Sequence, residues 1–427
     1  MSQAPIRVGI LGCGTVGSAL VKLIRDETAA VKDRTGVDLT VTRVAVRNLS
    51  TDRGIDFEPG VLTRDPRALV EDPEVDVVVE TMGGIEPARQ LILAALEAGK
   101  PVVTANKELV ANCGAELFEA AGRNSVDIQF EAAVGGGIPL IRVLRESLVG
   151  ERIITMMGIV NGTTNYILTK MTEDGAAYAE VLADAQQLGY AEADPTADVE
   201  GHDAGAKAAI MATIAFGSSV VPGDVHQEGI SRISSEDIEA ARRLDHVIKL
   251  LAIVEQADGK VSARVHPAIV PLTHPLASVR DSFNAVFVRG EAVDDLMLYG
   301  RGAGGAPTAS AMFGDLIEAA ANLQRGTHIE LGHLEAADVT PIDETSSAFY
   351  VPLDVVDEPG VLAAVATIFG RNGVSIGSME QQGQGDNARI LLITHVAREA
   401  DMQATIAELK DLDAVLRVGN LIRVIGS

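Results

Sequence analysis

A chain of 427 residues is too long for one ordinary hydrophobic core, so about two or three domains are expected. Apolar residues make up 47 % and charged residues 22 %, the composition of a folded protein rather than a disordered one. Lys+Arg 35 against Asp+Glu 60 leaves a net charge of −25, and aromatics are 3 % with no Trp, which argues against nucleic acid or membrane as partners.

The N-terminal stretch "APIRVGILGCG" enters a strand at once and leaves no room for a secretory leader. Cys13 and Cys113 make no disulfide framework, and no apolar run is long enough to span a bilayer. A reducing cytoplasm is the expected compartment. From residue 6 to 134 the chain alternates β-rich runs ("IRVGIL", "LTVTRVAV", "VDVVVET", "KPVVTAN", "VDIQFEA") with stretches whose apolar residues recur at helical spacing. That alternation predicts an α/β, doubly wound parallel sheet, assigned to residues 1–135. The Gly-rich break "GGGIP" closes it. Residues 136–305 mix helices and strands and read as an α+β substrate domain. The apolar helix 306–325 is expected to return to the first domain, and the polar stretch 335–348 reads as a linker. Residues 349–427 run strand, helix, strand, strand, helix, strand, a ferredoxin-like unit.

Within the first block, Gly12, Gly14 and Gly17 form G-x-G-x-x-G between a buried strand and an amphipathic helix. The first glycine permits the tight turn, the second admits a pyrophosphate to the backbone, and the third lets helix and strand pack closely. Dinucleotide binding follows from the pattern in that setting. A Rossmann-type NAD site usually ends its second strand with an acid, whereas "VAVRNLSTDRG" offers Arg47 and no acid before Asp52. A guanidinium there suits a 2′-phosphate, so NADP is expected over NAD; a solvated loop arginine is the plain alternative.

Further along, "GYAEADPTADVEGHDAGAKAAIMATIAFG" crowds five acids ahead of an apolar helix carrying one lysine, Lys207. With Pro195 as a break and Asp198 as N-cap, one helix is expected to run to Gly217. Asp203 and Lys207 then share a face. A surface ion pair would explain them, but the stripe around Lys207 is too apolar for a solvated face, and a half-buried lysine beside acids suits acid/base chemistry. Lys107 follows a strand and opens a helix, where open α/β sheets bind ligands and where a lysine is otherwise unfavourable against the helix dipole.

With "GCGTVG", "TANK", "EAAVGGGIP", "NGTTNYIL", "GYAEADPTADVEGHDAGAK" and "GRGAGG", the chain resembles the homoserine dehydrogenase family over nearly its whole length. The "DEPGVL" unit looks like an ACT domain, the small amino-acid-sensing module. The resemblance implies interconversion of L-aspartate 4-semialdehyde and L-homoserine by a nicotinamide cofactor, and a substrate domain that also dimerises. It implies Lys207 as proton donor and acceptor, and Glu192, Asp203 and Lys107 as substrate contacts. Cofactor contacts fall on Gly12, Gly14, Thr15, Val16, Gly17, Arg47, Lys107, Gly189 and Gly302. A structural sodium, held mainly by backbone oxygens, maps to Glu131, Val134, Gly136 and Ile138. A homodimer or homotetramer and an amino-acid effector at the ACT domain are also implied. Two rivals stand beside this. A thioester-forming aldehyde dehydrogenase needs a nucleophilic cysteine in the substrate domain, and neither cysteine lies there. A non-catalytic amino-acid sensor would have lost Lys207 or the glycine loop, and both are intact.

Overall fold

The valine-rich runs near the N-terminus become buried strands because β-branched residues covered on both faces pack best in a parallel sheet. In the computed structural model, which describes residues 4–330, 332–383 and 388–426, β1 (Ile6–Leu11) leads through α1 (Thr15–Thr35) to β2 (Leu39–Ala45) and β3 (Leu62–Thr63). There follow α2 (Pro66–Glu71), β4 (Val77–Glu80), α3 (Ala88–Glu97), β5 (Val102–Thr104), α4 (Lys107–Asn124) and β6 (Ile128–Gln129). All six strands are parallel, in the order β3-β2-β1-β4-β5-β6. The order reverses direction at β1 and β4, the place where such sheets bind ligands beyond the strand C-termini.

The chain divides into two compact units. The first holds this sheet, residues 206–224 and residues 284–337. Its core joins Val8, Ile10, Leu20 and Ile24 to Met312, Leu316 and Ala319 of the helix Gly305–Arg325.

The second unit comprises residues 155–205, 225–283 and 338–427. Its central strands His246–Ala257 and Lys260–Pro271 pair antiparallel along their full lengths, and residues 155–158 pair with the first of them. The short strand Ile422–Val424 runs parallel to Lys260–Pro271 and antiparallel to Ser346–Val355. From there the sheet continues through Ala388–Thr394 to Ile376–Gln382. The helices Val361–Arg371 and Glu399–Lys410 complete the strand–helix–strand–strand–helix–strand order, over a core of Phe349, Val351, Val365, Phe369, Leu392 and Met402. Residues 384–387 and 427 of this C-terminal region lie outside the described residues.

Two expectations shift. The polar stretch 335–348 ends in structure, since a strand begins at Ser346 and Ala348 pairs with Val424. The C-terminal unit is therefore continuous with the sheet of residues 246–271 through Ile422–Val424. The acidic segment does not lead into one helix from Asp198. A short helix, Thr196–Val199, stops at Gly201 (φ 84°), and a second helix runs from His202 to Phe216. The left-handed glycine breaks the run, and Asp198 sits inside the short helix rather than at a cap.

Candidate active site

The glycine loop is shaped by what its residues lack. Gly12 has φ 96°, and a Cβ on Gly17 would stand 2.6 Å from the Gly12 carbonyl oxygen. A Cβ on Gly14 would meet nothing within 4 Å, so that face of the turn lies open. Helix α1 starts here with no side-chain cap and no acid in its first turn, leaving its amide donors and positive dipole end for a ligand. A cleft of about 810 Å³ opens above the loop, lined by Gly12, Cys13, Gly14, Arg47, Arg53, Arg64 and Thr81 among others. Arg53 donates to the carbonyls of Thr51 and Asn48 at 2.7 Å each, which fixes the loop following β2. The fit to a dinucleotide is good: open amides for the diphosphate, and three arginines in a strongly acidic chain.

Next to this cleft, and sharing Thr81 and Gly83 with it, is a cavity of about 270 Å³. Val16, Glu80, Asn106, Lys107, Gly136, Lys207, Gly302 and Thr308 are among its walls. They arrive from several elements. Lys107 is the first residue of α4, whose cap is Asn106: the Asn106 side chain accepts from the Leu109 amide and donates to the Gly84 carbonyl at 2.6 Å. Glu80 ends β4 fully buried. Its carboxylate accepts from the amides of Met82 and Gly83 and from the Thr104 hydroxyl, and so holds the turn after the strand. Lys207, with 9 % exposure, projects from the helix His202–Phe216. Gly302 and Gly136 must be glycines, since a Cβ on Gly302 would overlap the Asn284 side chain and one on Gly136 would stand 2.4 Å from the Gly302 carbonyl oxygen. Thr15 packs its methyl at 3.0 Å from where a Cβ on Gly305 would stand.

The loop 131–138 borders the same cavity. Gly135 and Gly136 are successively left-handed (φ 76° and 56°), and Glu131, Val134, Gly136 and Ile138 are all buried. The Glu131 carboxylate accepts from the amides of Ile141 and Arg142 at 2.7 and 2.8 Å. Burial pushes its carboxyl up from the ordinary range, and these amides oppose the shift. With that side chain committed, what the loop offers a cation is main-chain oxygen, which is what a hard ion such as sodium takes. Among the described residues no group of three or more His, Cys, Asp or Glu side chains could hold a metal.

In the second unit, Glu192 is exposed on the turn between Gly189 (φ 76°) and the short helix. Asp203 is buried in the first turn of the helix that carries Lys207. Asn161 organises the carboxylates. Its Oδ1 caps the helix Gly162–Asp174 by accepting from the Thr164 amide, while its Nδ2 donates to Asp198 at 2.7 Å and Asp203 at 2.9 Å. Sequence reasoning quoted Asn161 within a motif without giving it this work, although asparagine before a helix is a strong capping signal. It also passed over Glu80, whose signal was an acid ending an apolar strand, and over Arg53 and Arg64, which reach the cleft from loops.

Residues 12–131 match the profile described as homoserine dehydrogenase, NAD binding domain, residues 139–317 match homoserine dehydrogenase, and residues 351–414 match the ACT domain. The chain is 49 % identical to a homoserine dehydrogenase of Corynebacterium glutamicum, over 98 % of this chain and 95 % of that one. A crystal structure of a homoserine dehydrogenase from Thiobacillus denitrificans superposes with a TM-score of 0.94 at 42 % identity, covering 99 % of this chain and 98 % of that one. A hyperthermophilic archaeal homoserine dehydrogenase in complex with NADPH superposes at 0.64 with 31 % identity, covering 74 % of this chain and 98 % of that one.

Proposed function

The chain belongs to the homoserine dehydrogenase family, and from that premise we propose that it is the oxidoreductase interconverting L-aspartate 4-semialdehyde and L-homoserine with a nicotinamide dinucleotide. The reading is carried by one observation: Lys107 and Lys207 line a single small cavity with Val16 and Gly302, directly beside the cleft over the glycine loop.

When bound, the nicotinamide supplies the hydride for aldehyde reduction and accepts it in the reverse direction. Lys207 delivers a proton to the aldehyde oxygen as charge builds there, and takes it back from the hydroxyl of homoserine. Glu192 and Asp203 hold the substrate's α-ammonium, and Asn161 keeps the Asp203 carboxylate in place. Lys107 orients substrate and cofactor. Gly12, Gly14, Thr15, Val16 and Gly17 cradle the diphosphate, with Gly189 and Gly302 toward the nicotinamide end. Arg47 meets a 2′-phosphate, favouring NADP with NAD as the alternative; Arg53 and Arg64 in the same cleft support that preference. Glu131, Val134, Gly136 and Ile138 would hold a structural sodium ion, mainly through their main-chain oxygens. The C-terminal ACT domain takes an amino-acid effector, with threonine the first candidate, and the protein works as a homodimer or homotetramer. Two free thiols support a reducing, cytoplasmic setting.

Loss of reduced-nicotinamide absorbance with aspartate semialdehyde, NADPH and NADH run side by side, tests the activity. Turnover is expected, faster with NADPH at low cofactor. A protein that binds amino acids but shows no turnover with either cofactor would be the non-catalytic sensor instead.

A further inference from the structure

The second unit contains a run of linked charges, buried at Arg423 and Glu399 and half-buried at Glu228 and His226. Arg423, 3 % exposed, forks onto Glu399, 2 % exposed, with both bonds at 2.9 Å. Its remaining terminal nitrogen lies 2.9 Å from Glu228, whose carboxylate also meets His226 at 2.7 Å. Glu399 opens the helix Glu399–Lys410 of the C-terminal unit, while Arg423 sits on the strand paired to both Phe349 and Ala268. One guanidinium thus ties the C-terminal unit to the segment 226–230.

That segment lies against the break in the acidic stretch. The Glu228 amide donates to the Val265 carbonyl at 2.8 Å, and the Ile230 amide donates to the Val199 carbonyl at 2.8 Å. Between them, Gly229 approaches so closely that a Cβ would stand 2.2 Å from the Val199 carbonyl oxygen and 2.5 Å from the Glu200 Cα. Gln227 Oε1 meets His202 Nδ1 at 2.8 Å, next to Asp203. The helix break at Gly201, on which the placement of Asp198 and Asp203 depends, is therefore clamped from the side by residues 227–230.

We infer that Arg423 and Glu228 are positioning residues: they transmit the state of the C-terminal unit to the substrate-gripping acidic segment 189–203. This rests on the reading of Asp203 as a substrate contact. Neither residue lines the cleft over the glycine loop or the cavity that holds Lys107 and Lys207; they act through residues 227–230 on Val199–Gly201. Burial pushes the Glu228 carboxyl up, but the His226 hydrogen bond and the Arg423 charge outweigh it and bring it down to about 2. Glu228 is therefore ionised across the working range, and its tie to Arg423 is a standing one. His226, His266 and Arg264 are close by on one side of the segment, and Glu200 and His202 on the other.

Glu228→Gln in the full-length enzyme removes the charge, keeps the shape, and leaves the Arg423–Glu399 fork intact. The homoserine KM should rise about tenfold, with kcat and the NADP+ KM nearly unchanged. Amide hydrogen exchange across residues 199–205 should speed up in the same variant. Asp203→Asn is run beside it. If Asp203→Asn raises the homoserine KM and Glu228→Gln does not, the coupling is wrong and the substrate reading stands. If Asp203→Asn leaves that KM alone, the substrate reading falls and takes the coupling with it. A Glu228→Gln enzyme that loses melting temperature and moves both KM values together marks a merely structural pair and overturns the inference. Should that variant fail to fold, Arg423→Lys, which keeps the charge but not the fork, is measured in its place. A selective rise in the homoserine KM supports the coupling, and an unchanged one overturns it.

Discussion

Under the proposed function the turn between β1 and α1 serves the cofactor and the acidic stretch from Gly189 to Asp203 serves the substrate, and the two are built in opposite ways. The first works by absence: glycines at 12, 14 and 17 leave bare backbone, and a Cβ at 17 alone would strike the Gly12 carbonyl at 2.6 Å. The second works by presence. Its carboxylates are held by a borrowed side chain, Asn161, and its helix break is pressed by Gly229 from a distant part of the sequence. A site made of backbone is set by local dihedrals, whereas a site made of side chains depends on neighbours that only folding brings near. Changes at the first end should therefore act on the cofactor alone, and changes at the second on the substrate.

Lys207 is the proposed proton donor, and its loss carries the largest effect. Lys207→Ala should lower kcat by about 10²- to 10⁴-fold, the usual worth of a positioned general acid, while NADPH affinity hardly moves. A variant with near-normal turnover would leave Lys207 as a buried ion-pair partner only. Gly17→Ala follows. The added methyl forces the loop out of register with the diphosphate, and a shift of that kind costs about 100-fold in kcat/KM for the cofactor. If NADPH binds Gly17→Ala normally, the absence of side chains there is not what shapes the loop.

A smaller effect is expected at Arg47, which refines the cofactor end. Arg47→Ala should weaken NADPH by about tenfold relative to NADH, because only NADPH carries the extra phosphate. Equal losses for both would show that the guanidinium does not face it.

The smallest effect concerns the scaffold beneath the substrate end. Lys249, 4 % exposed, donates to Asn165 Oδ1 at 3.0 Å, one turn after Asn161. Desolvation brings its ammonium down to about 8, against the opposing pull of Glu173. The folded-state value lies below the unfolded one, so between about pH 8 and the ordinary lysine value of about 10.4 the unfolded chain holds more protons and stability rises with pH. Below that window both states are charged, and the cost of burying the ammonium is carried in full. Urea midpoints of wild type minus those of Lys249→Met should climb across the window; a flat difference would mean the ammonium is not desolvated.

How much of this could be read from the chain follows the same division. The parallel sheet, the glycine turn and the placement of Lys107 at a helix start are local patterns of period and turn chemistry, and the fold has them where the residues point. The reach of Asn161 to Asp203 spans 42 residues and that of Arg423 to Glu399 spans 24, with no periodicity to announce either. The helix break at Gly201 was masked by the helical spacing of the residues around it, and the positive φ shows it. The polar stretch 335–348 reads as a linker by composition. Yet the strand from Ser346 is held by Ile422–Val424, a pairing that sequence spacing does not encode.

The most direct test of the two-ended site is a crossed titration by calorimetry. NADP+ and homoserine are each titrated, without the other, into Gly17→Ala and Asp203→Asn. The account predicts a double dissociation: Gly17→Ala loses NADP+ affinity and keeps homoserine, and Asp203→Asn does the reverse. Equal loss of both ligands in either variant would contradict it.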